Sequence, residues 1–209
     1  MLITFSGLDG AGKSTIIGSL VAALEQHHQP VAVLHMNDNI GIHAAVRRLR
    51  DVVLGPRPAG LRPPSNAPSL RRSVLWNKGV RRLLYPIDLL IFFCYRFYLE
   101  RIRRRVLIMD RYFYDTLVDV ADRRWWWLLR LYERMTPTPA LAVYLDASPE
   151  MCFERKGEYS VDYLRRRRQA YQVVMPWVAG SIVIEARDLE RTKDELRRIV
   201  VARLAEGEA

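Results

Sequence analysis

The stretch from Ser6 to Thr15, SGLDGAGKST, constrains this chain more than any other. It follows a short apolar run, Leu2 to Phe5, and precedes Ile16, Ile17, Leu20, Val21 and Leu24, which share one face at helical spacing. Strand, glycine-rich loop and helix are therefore expected in immediate succession. Gly7, Gly12, Lys13 and Ser14 fill the fixed positions of GxxxxGK[ST], the phosphate-binding loop of nucleoside triphosphate enzymes. Glycines let backbone N–H groups turn inward around phosphate oxygens, and the following helix N-terminus favours the same anion. The expected ATP contacts are Gly7, Gly10, Ala11, Gly12, Lys13, Ser14 and Thr15, with Lys13 on the outer phosphates and the Ser14 hydroxyl on Mg2+.

Composition bounds what this loop can belong to. At 209 residues and 50% hydrophobic, the chain suits one domain over residues 1–209 with a full core. Its 33 basic and 23 acidic residues, a net charge of +10, call for a polyanionic partner such as nucleotide phosphates, nucleic acid or an anionic membrane. Cys94 and Cys152 match no metal or redox spacing and read as buried thiols. The most apolar window, Tyr85 to Leu99, is too short to span a bilayer and contains Asp88 and Arg96, so a cytoplasmic protein is expected.

Apolar runs alternate with helical patterns along the chain, the signature of an α/β fold with a parallel sheet covered on both faces. Strands are expected near residues 2–5, 31–36, 106–109, 141–145 and 182–185. Polar residues His35 to Asn39 leave the second strand where open α/β sheets place ligands, and serve equally as a capping turn. A helical face, Ile42 to Val53, ends at Gly55 and Pro56. Gly55 to Leu70 then carries five prolines in sixteen residues and reads as a mobile loop. Arg71 to Arg105 reads as helices broken near Pro86, ending in a solvated cluster of arginines.

Val106 to Met109 is a continuous apolar run that ends in Asp110, where a carboxylate beside a phosphate loop is placed to hold Mg2+ together with Ser14. Here GLDGAGKST followed by LIMDRY resembles the thymidylate kinase family, within the nucleoside monophosphate kinase group of P-loop folds. Tyr144, Leu145, Asp146, Pro149 and Glu150 are similar to that family's fourth strand and following helix, Ile182 to Glu185 to its fifth strand, and Arg155 falls where its lid begins, near 155–160. The resemblance covers nearly the whole chain and implies a three-layer α/β/α P-loop kinase fold. The last helix reads as opening with Thr192 and Glu195 as a capping box.

The resemblance also implies roles. Lys13, Asp9, Arg111 and Arg155 would be catalytic, with Asp9 facing the acceptor's sugar and the metal, and Arg111 orienting the acceptor phosphate. Arg96 would join Arg111 in the acceptor site, and Phe92 or Phe93 would stack on the acceptor ring or else pack in the core. Since position 10 is Gly, the catalytic cation would come from the lid: Arg155, with Lys156, Arg165 or Arg166 beside it. The first-choice activity is transfer of the ATP γ-phosphoryl group to a nucleoside monophosphate, dTMP before others.

Several positions depart from the family. Met36, Asn37 and Asp38 stand where an Arg-Glu-Pro run is usual, and Ser6 stands where the loop usually begins with glutamate. Past Asp110-Arg111-Tyr112, Asp115, Val118, Asp119 and Val120 replace a serine and an Ala-Tyr-Gln run. Asp115 and Asp119 are four apart, on one face of a helix, and could accept hydrogen bonds from a hydroxylated acceptor. That leaves a sugar or lipid-linked acceptor as the alternative, and a nucleotide-gated binding module as a further one. Trp125, Trp126 and Trp127, flanked by arginines, suit a core or homodimer face, a pocket wall or peripheral membrane contact. No module specific for nucleic acid is recognised.

Overall fold

The computed structural model describes residues 1–36, 78–120, 126–186 and 188–207. The helical face 42–53, the proline-rich segment 55–70, the polar exit 37–39 and Trp125 lie outside the described residues.

Five parallel strands form one sheet: β1 Leu2–Gly7, β2 Val31–His35, β3 Val106–Asp110, β4 Leu141–Asp146 and β5 Ser181–Glu185, in the order β2-β3-β1-β4-β5. Burial follows that order. Every residue of β1 is buried, as an apolar central strand covered on both faces must be, whereas edge strands β2 and β5 leave Val33 and Val183 exposed. The expected strands are all present, each within about two residues of its expected ends.

Seven α-helices occur among the described residues: α1 Lys13–Gln26, α2 Lys78–Phe97, α3 Phe113–Val120, α4 Trp126–Met135, α5 Pro149–Lys156, α6 Val161–Val174 and α7 Leu189–Gly207. From β1 the chain moves toward β2, whereas from β2, β3 and β4 it moves the opposite way. Right-handed crossovers therefore put α1 on one face and α2 to α6 on the other. The contacts agree: α1 packs with α7, and α3 packs with α2, α4 and α6. Neighbouring strands β1 and β3 thus send their helices to opposite faces, which opens a crevice at their carboxyl ends beside the glycine loop.

Three local expectations need correction. First, α2 runs unbroken through Pro86 and continues as a π-helix, Tyr98–Ile102. Second, Cys94 is exposed, and only Cys152 is buried. Third, α7 starts earlier than Thr192: the Asp188 carboxylate accepts from the backbone N–H groups of Glu190 and Arg191 at 3.0 and 3.3 Å.

The inner side of α2 buries Tyr85, Leu89 and Phe92. Tyr85 stacks on Tyr132 of α4 at 4.6 Å and shares a 2.6 Å hydrogen bond with the Thr136 hydroxyl. The exposed residues from Pro86 to Tyr98 include Ile87, Leu90, Ile91, Phe93 and Phe97, and none of them is charged. On α4, Trp127, Leu131 and Met135 follow one another at four-residue spacing on the exposed side, while Leu129 and Tyr132 face the core. The side chain of Trp126 is outside the described residues. Among the described residues no helix is long and apolar enough to cross a membrane.

Candidate active site at the carboxyl edge of the sheet

The loop leaves β1 through Gly7, whose φ of 148° and closeness to β4 exclude a side chain: a Cβ there would lie 2.7 Å from the Leu145 carbonyl oxygen. Ala11 N–H closes a turn on the Leu8 carbonyl at 3.2 Å, and α1 begins at Lys13. The Lys13 ammonium bends back into the loop and donates to the carbonyls of Gly7 at 2.9 Å and Leu8 at 2.8 Å. Burial first, then the nearby Arg111 guanidinium, hold its pKa below the ordinary lysine value despite Asp110, Asp9 and Asp115. Ser14 and Thr15 are exposed in the first turn of α1.

Parallel pairing sets Asp110 beside Phe5, at the mouth of the crevice. One Asp110 oxygen meets His35 Nδ1 at 3.3 Å. The other, Oδ1, is buried without a hydrogen-bond partner among the described residues. A buried carboxylate oxygen left in this state suits a cation or its water shell. Among the described residues no group of three or more His, Cys, Asp or Glu side chains could hold a metal by itself.

Arg111 follows with a left-handed φ of 65°. Its Nη2 donates to Asp9 in the loop, and its Nη1 lies 3.6 Å from Asp115. Burial alone would raise the Asp9 carboxyl, but the Arg111 charge and hydrogen bond outweigh it and leave Asp9 below the usual aspartate value. A cation and a carboxylate are thus locked together at the rim of the phosphate loop.

The helix α6 adds side chains that the sequence reading passed over. Tyr163, Arg167 and Tyr171 repeat every four residues, and Tyr159, just before the helix, stacks on Tyr163 at 4.8 Å. Arg167 donates to the Tyr163 hydroxyl at 2.9 Å, its guanidinium lies over the Tyr171 ring, and its charge reaches Asp9 and Arg111. The four-residue spacing was the available signal, masked by the run Arg165 to Arg168. Within that run, Arg165 pairs outward with Glu150 at 2.8 Å and Arg166 donates to the Asp162 carbonyl, whereas Arg168 grips Asp146 with two bonds of 2.6 and 2.7 Å. Arg155, exposed on α5, donates to the Gly10 carbonyl at 3.4 Å and so lies across the loop, while Lys156 pairs with Glu158.

Four expected acceptor residues are placed otherwise. Arg96 donates to Glu100 at 2.6 Å, and the other Glu100 oxygen meets the Met1 amino group at 3.1 Å. Met1 precedes β1, so Glu100 ties Arg96 toward the amino edge of the sheet, the edge opposite the loop. Phe92 is fully buried against Tyr112 and Phe113, and Phe93 is exposed on the outer side of α2. Asp115 is buried and taken by protein donors: Ser6 Oγ at 2.6 Å, Tyr112 N at 3.0 Å and the Tyr171 hydroxyl. It has no oxygen to offer a substrate hydroxyl. The Asp119 side chain lies outside the described residues.

This places Arg96 as a stabilising residue. Arg96→Met is expected to leave the acceptor KM within about twofold and to lower the melting temperature by about 2–4 °C, equivalent to roughly 1 kcal/mol for a half-shielded ion pair. Steady-state kinetics beside a thermal melt check both, and a tenfold rise in acceptor KM would return Arg96 to the site.

No family model matches the chain. Individual proteins do. A probable thymidylate kinase of Archaeoglobus fulgidus is 24% identical over 213 residues, covering 96% of this chain and 94% of that protein. A thymidylate kinase of Chlorobium chlorochromatii is 31% identical over 168 residues, 74% of this chain and 64% of that protein. The loop, the five-stranded parallel sheet and these similarities agree: the chain is a distant relative of the thymidylate kinases, with a P-loop kinase fold.

Proposed function

We propose that this chain is a single-domain, Mg2+-dependent kinase that moves the γ-phosphoryl group of ATP onto the phosphate of a nucleoside monophosphate, with dTMP the first candidate. The observation that carries this reading is the Arg111–Asp9 pair beside Lys13. An arginine fixed by a loop carboxylate can grip a phosphate already present on the acceptor and hold it in line with the donor phosphate, whereas a plain alcohol has no use for it. The similarity to two thymidylate kinases supports the nucleotide class. Asp115, one of the two carboxylates that favoured a sugar or lipid-linked acceptor, has its oxygens engaged inside the protein.

The donor side follows from the same groups. Gly7 to Thr15 wrap the phosphates with backbone N–H groups, and Lys13 trades its two carbonyl partners for phosphate oxygens. Ser14 and Asp110 Oδ1 would hold Mg2+, which neutralises phosphate charge. Arg155, at the start of the short lid 155–160, supplies the cation that meets charge developing on the transferring group.

The test is ADP formation by purified protein with MgATP across nucleoside monophosphates, sugars and lipid extracts, with Lys13→Met as the inactive control. Turnover with dTMP or another monophosphate is expected, and turnover confined to a sugar or lipid would overturn the proposal. Arg155→Ala should then lower kcat about a hundredfold while the KM for ATP stays within about threefold. An unchanged kcat would move the catalytic cation elsewhere.

A further inference from the structure

We infer that Asp115 is the positioning residue for Arg111, and that Ser6 and Asp115 act as an exchangeable hydroxyl and carboxylate pair. This rests on the proposed role of Arg111 toward the acceptor phosphate. Asp115 is only 3% exposed, and a charge at that depth is stable only when its oxygens are satisfied. They are satisfied from separate parts of the chain. Oδ2 accepts from Ser6 Oγ at the end of β1 and from Tyr112 N, while Oδ1 accepts from the Tyr171 hydroxyl of α6 and faces Arg111 Nη1 at 3.6 Å.

Two of these contacts converge on Arg111. Asp115 is the third residue of α3, and its bond to Tyr112 N is the backward half of a capping box. Tyr112 directly follows Arg111, so the bond clamps the peptide that carries Arg111 into its left-handed conformation. Such a conformation costs a non-glycine residue free energy and persists only where its surroundings enforce it. The ion pair holds the guanidinium from behind, while Asp9 holds it from the loop side. One carboxylate therefore fixes both the backbone and the head of the arginine, leaving it little freedom to lose when a phosphate arrives.

The identity of the partner gives the second half of the inference. The family resemblance expects glutamate where Ser6 stands and serine near Asp115. Here both groups are present with their positions exchanged, and they bond to each other at 2.6 Å across 109 residues of sequence. Ser6→Glu alone would bury two carboxylates side by side, and Asp115→Ser alone would leave Arg111 and Tyr171 without their acceptor. Changing both keeps one charge and one hydroxyl in the same space.

The experiment is the four-protein cycle of the parent, Ser6→Glu, Asp115→Ser and the double variant. Nitrogen-15 NMR of the Arg111 guanidinium, assigned with Arg111→Lys, reads positioning without any acceptor. Slow Nη rotation is expected in the parent, faster rotation in Asp115→Ser and slow rotation again in the double variant. With the active monophosphate, Asp115→Ser should raise the acceptor KM about tenfold and leave the KM for ATP within about twofold, and the double variant should return to within about threefold of the parent. Asp115→Asn, which keeps shape and removes charge, guards against a variant that fails to fold and should behave like Asp115→Ser in both readouts. Unaltered Arg111 rotation and acceptor KM in Asp115→Asn would overturn the positioning role. A double variant that melts no higher than its weaker parent would overturn the exchange. A parent inactive on every monophosphate defeats the functional proposal alone, since the NMR and melting arms still decide this one.

Discussion

Replacing Lys13 with methionine is expected to reduce turnover roughly a thousandfold, about 4 kcal/mol of transition-state stabilisation, while leaving the protein folded. The asymmetry follows from where the ammonium lies. Its stem is buried and its head donates to the carbonyls of Gly7 and Leu8, so it stands inside the glycine loop where the proposed donor phosphates would lie. Burial and the Arg111 charge both disfavour the protonated head, and its pKa lies below the usual lysine value. An incoming polyphosphate relieves that tension, so the folded protein carries a cation that is more favourable bound than free. Methionine keeps the apolar stem and removes the charge together with two hydrogen bonds. The lost bonds and the relieved repulsion toward Arg111 oppose each other, so the melting temperature should move by only a few degrees. Calorimetric binding of MgATP should weaken by at least about tenfold. A variant that binds and turns over MgATP like the parent would remove Lys13 from the mechanism.

The parts of this molecule that could be read from its sequence are those fixed by local pattern. Buried parallel strands are continuous apolar runs, so Leu2 to Phe5, Val106 to Met109 and Leu141 to Leu145 announced themselves, and the loop between β1 and α1 was bounded by its own glycines. The acceptor side depends on which residues meet through space. Asp115 and Asp119 share a helical spacing that suggested a polar face, but Ser6 and Tyr171 arrive from 109 and 56 residues away and consume the first of them. Arg96 stood at a plausible point in an aromatic helix, yet its place along the sheet is set by Glu100 and by the chain's own amino group. Phe92 and Phe93 are adjacent in sequence and differ by about 100° around the helix, enough to send one into the core and the other outward. Conversely, the four-residue repeat of Tyr163, Arg167 and Tyr171 was visible and overshadowed by four consecutive arginines.

Gly10→Ala should be the most damaging small substitution in the loop. Gly10 has φ +94°, and a Cβ there would stand 2.6 Å from the Cys152 carbonyl oxygen, 3.0 Å from its Cα and 3.2 Å from its carbonyl carbon. All three are backbone atoms of α5, whose Cys152 N–H is itself bonded to the Ser148 carbonyl, so no side chain can swing aside. A left-handed conformation at a non-glycine residue and overpacking against backbone each cost about 1–3 kcal/mol, so a loss of roughly 4 kcal/mol and a melting temperature lower by about 10 °C are expected. The functional effect should exceed the loss of stability. Arg155 lies one helical turn beyond Cys152 and reaches the Gly10 carbonyl at 3.4 Å, so the contact that forbids a side chain at position 10 also sets Arg155, the proposed catalytic cation, over the glycine loop. Forcing α5 away displaces that cation, and kcat in Gly10→Ala should fall at least as far as in Arg155→Ala even well below the melting transition. The same crowding closes the alternative of carrying the cation within the loop, so Gly10→Arg should lower activity and stability together. Thermal melts and kcat on these variants decide the matter: a Gly10→Ala protein that melts within about 2 °C of the parent would mean that the loop does not rest on α5.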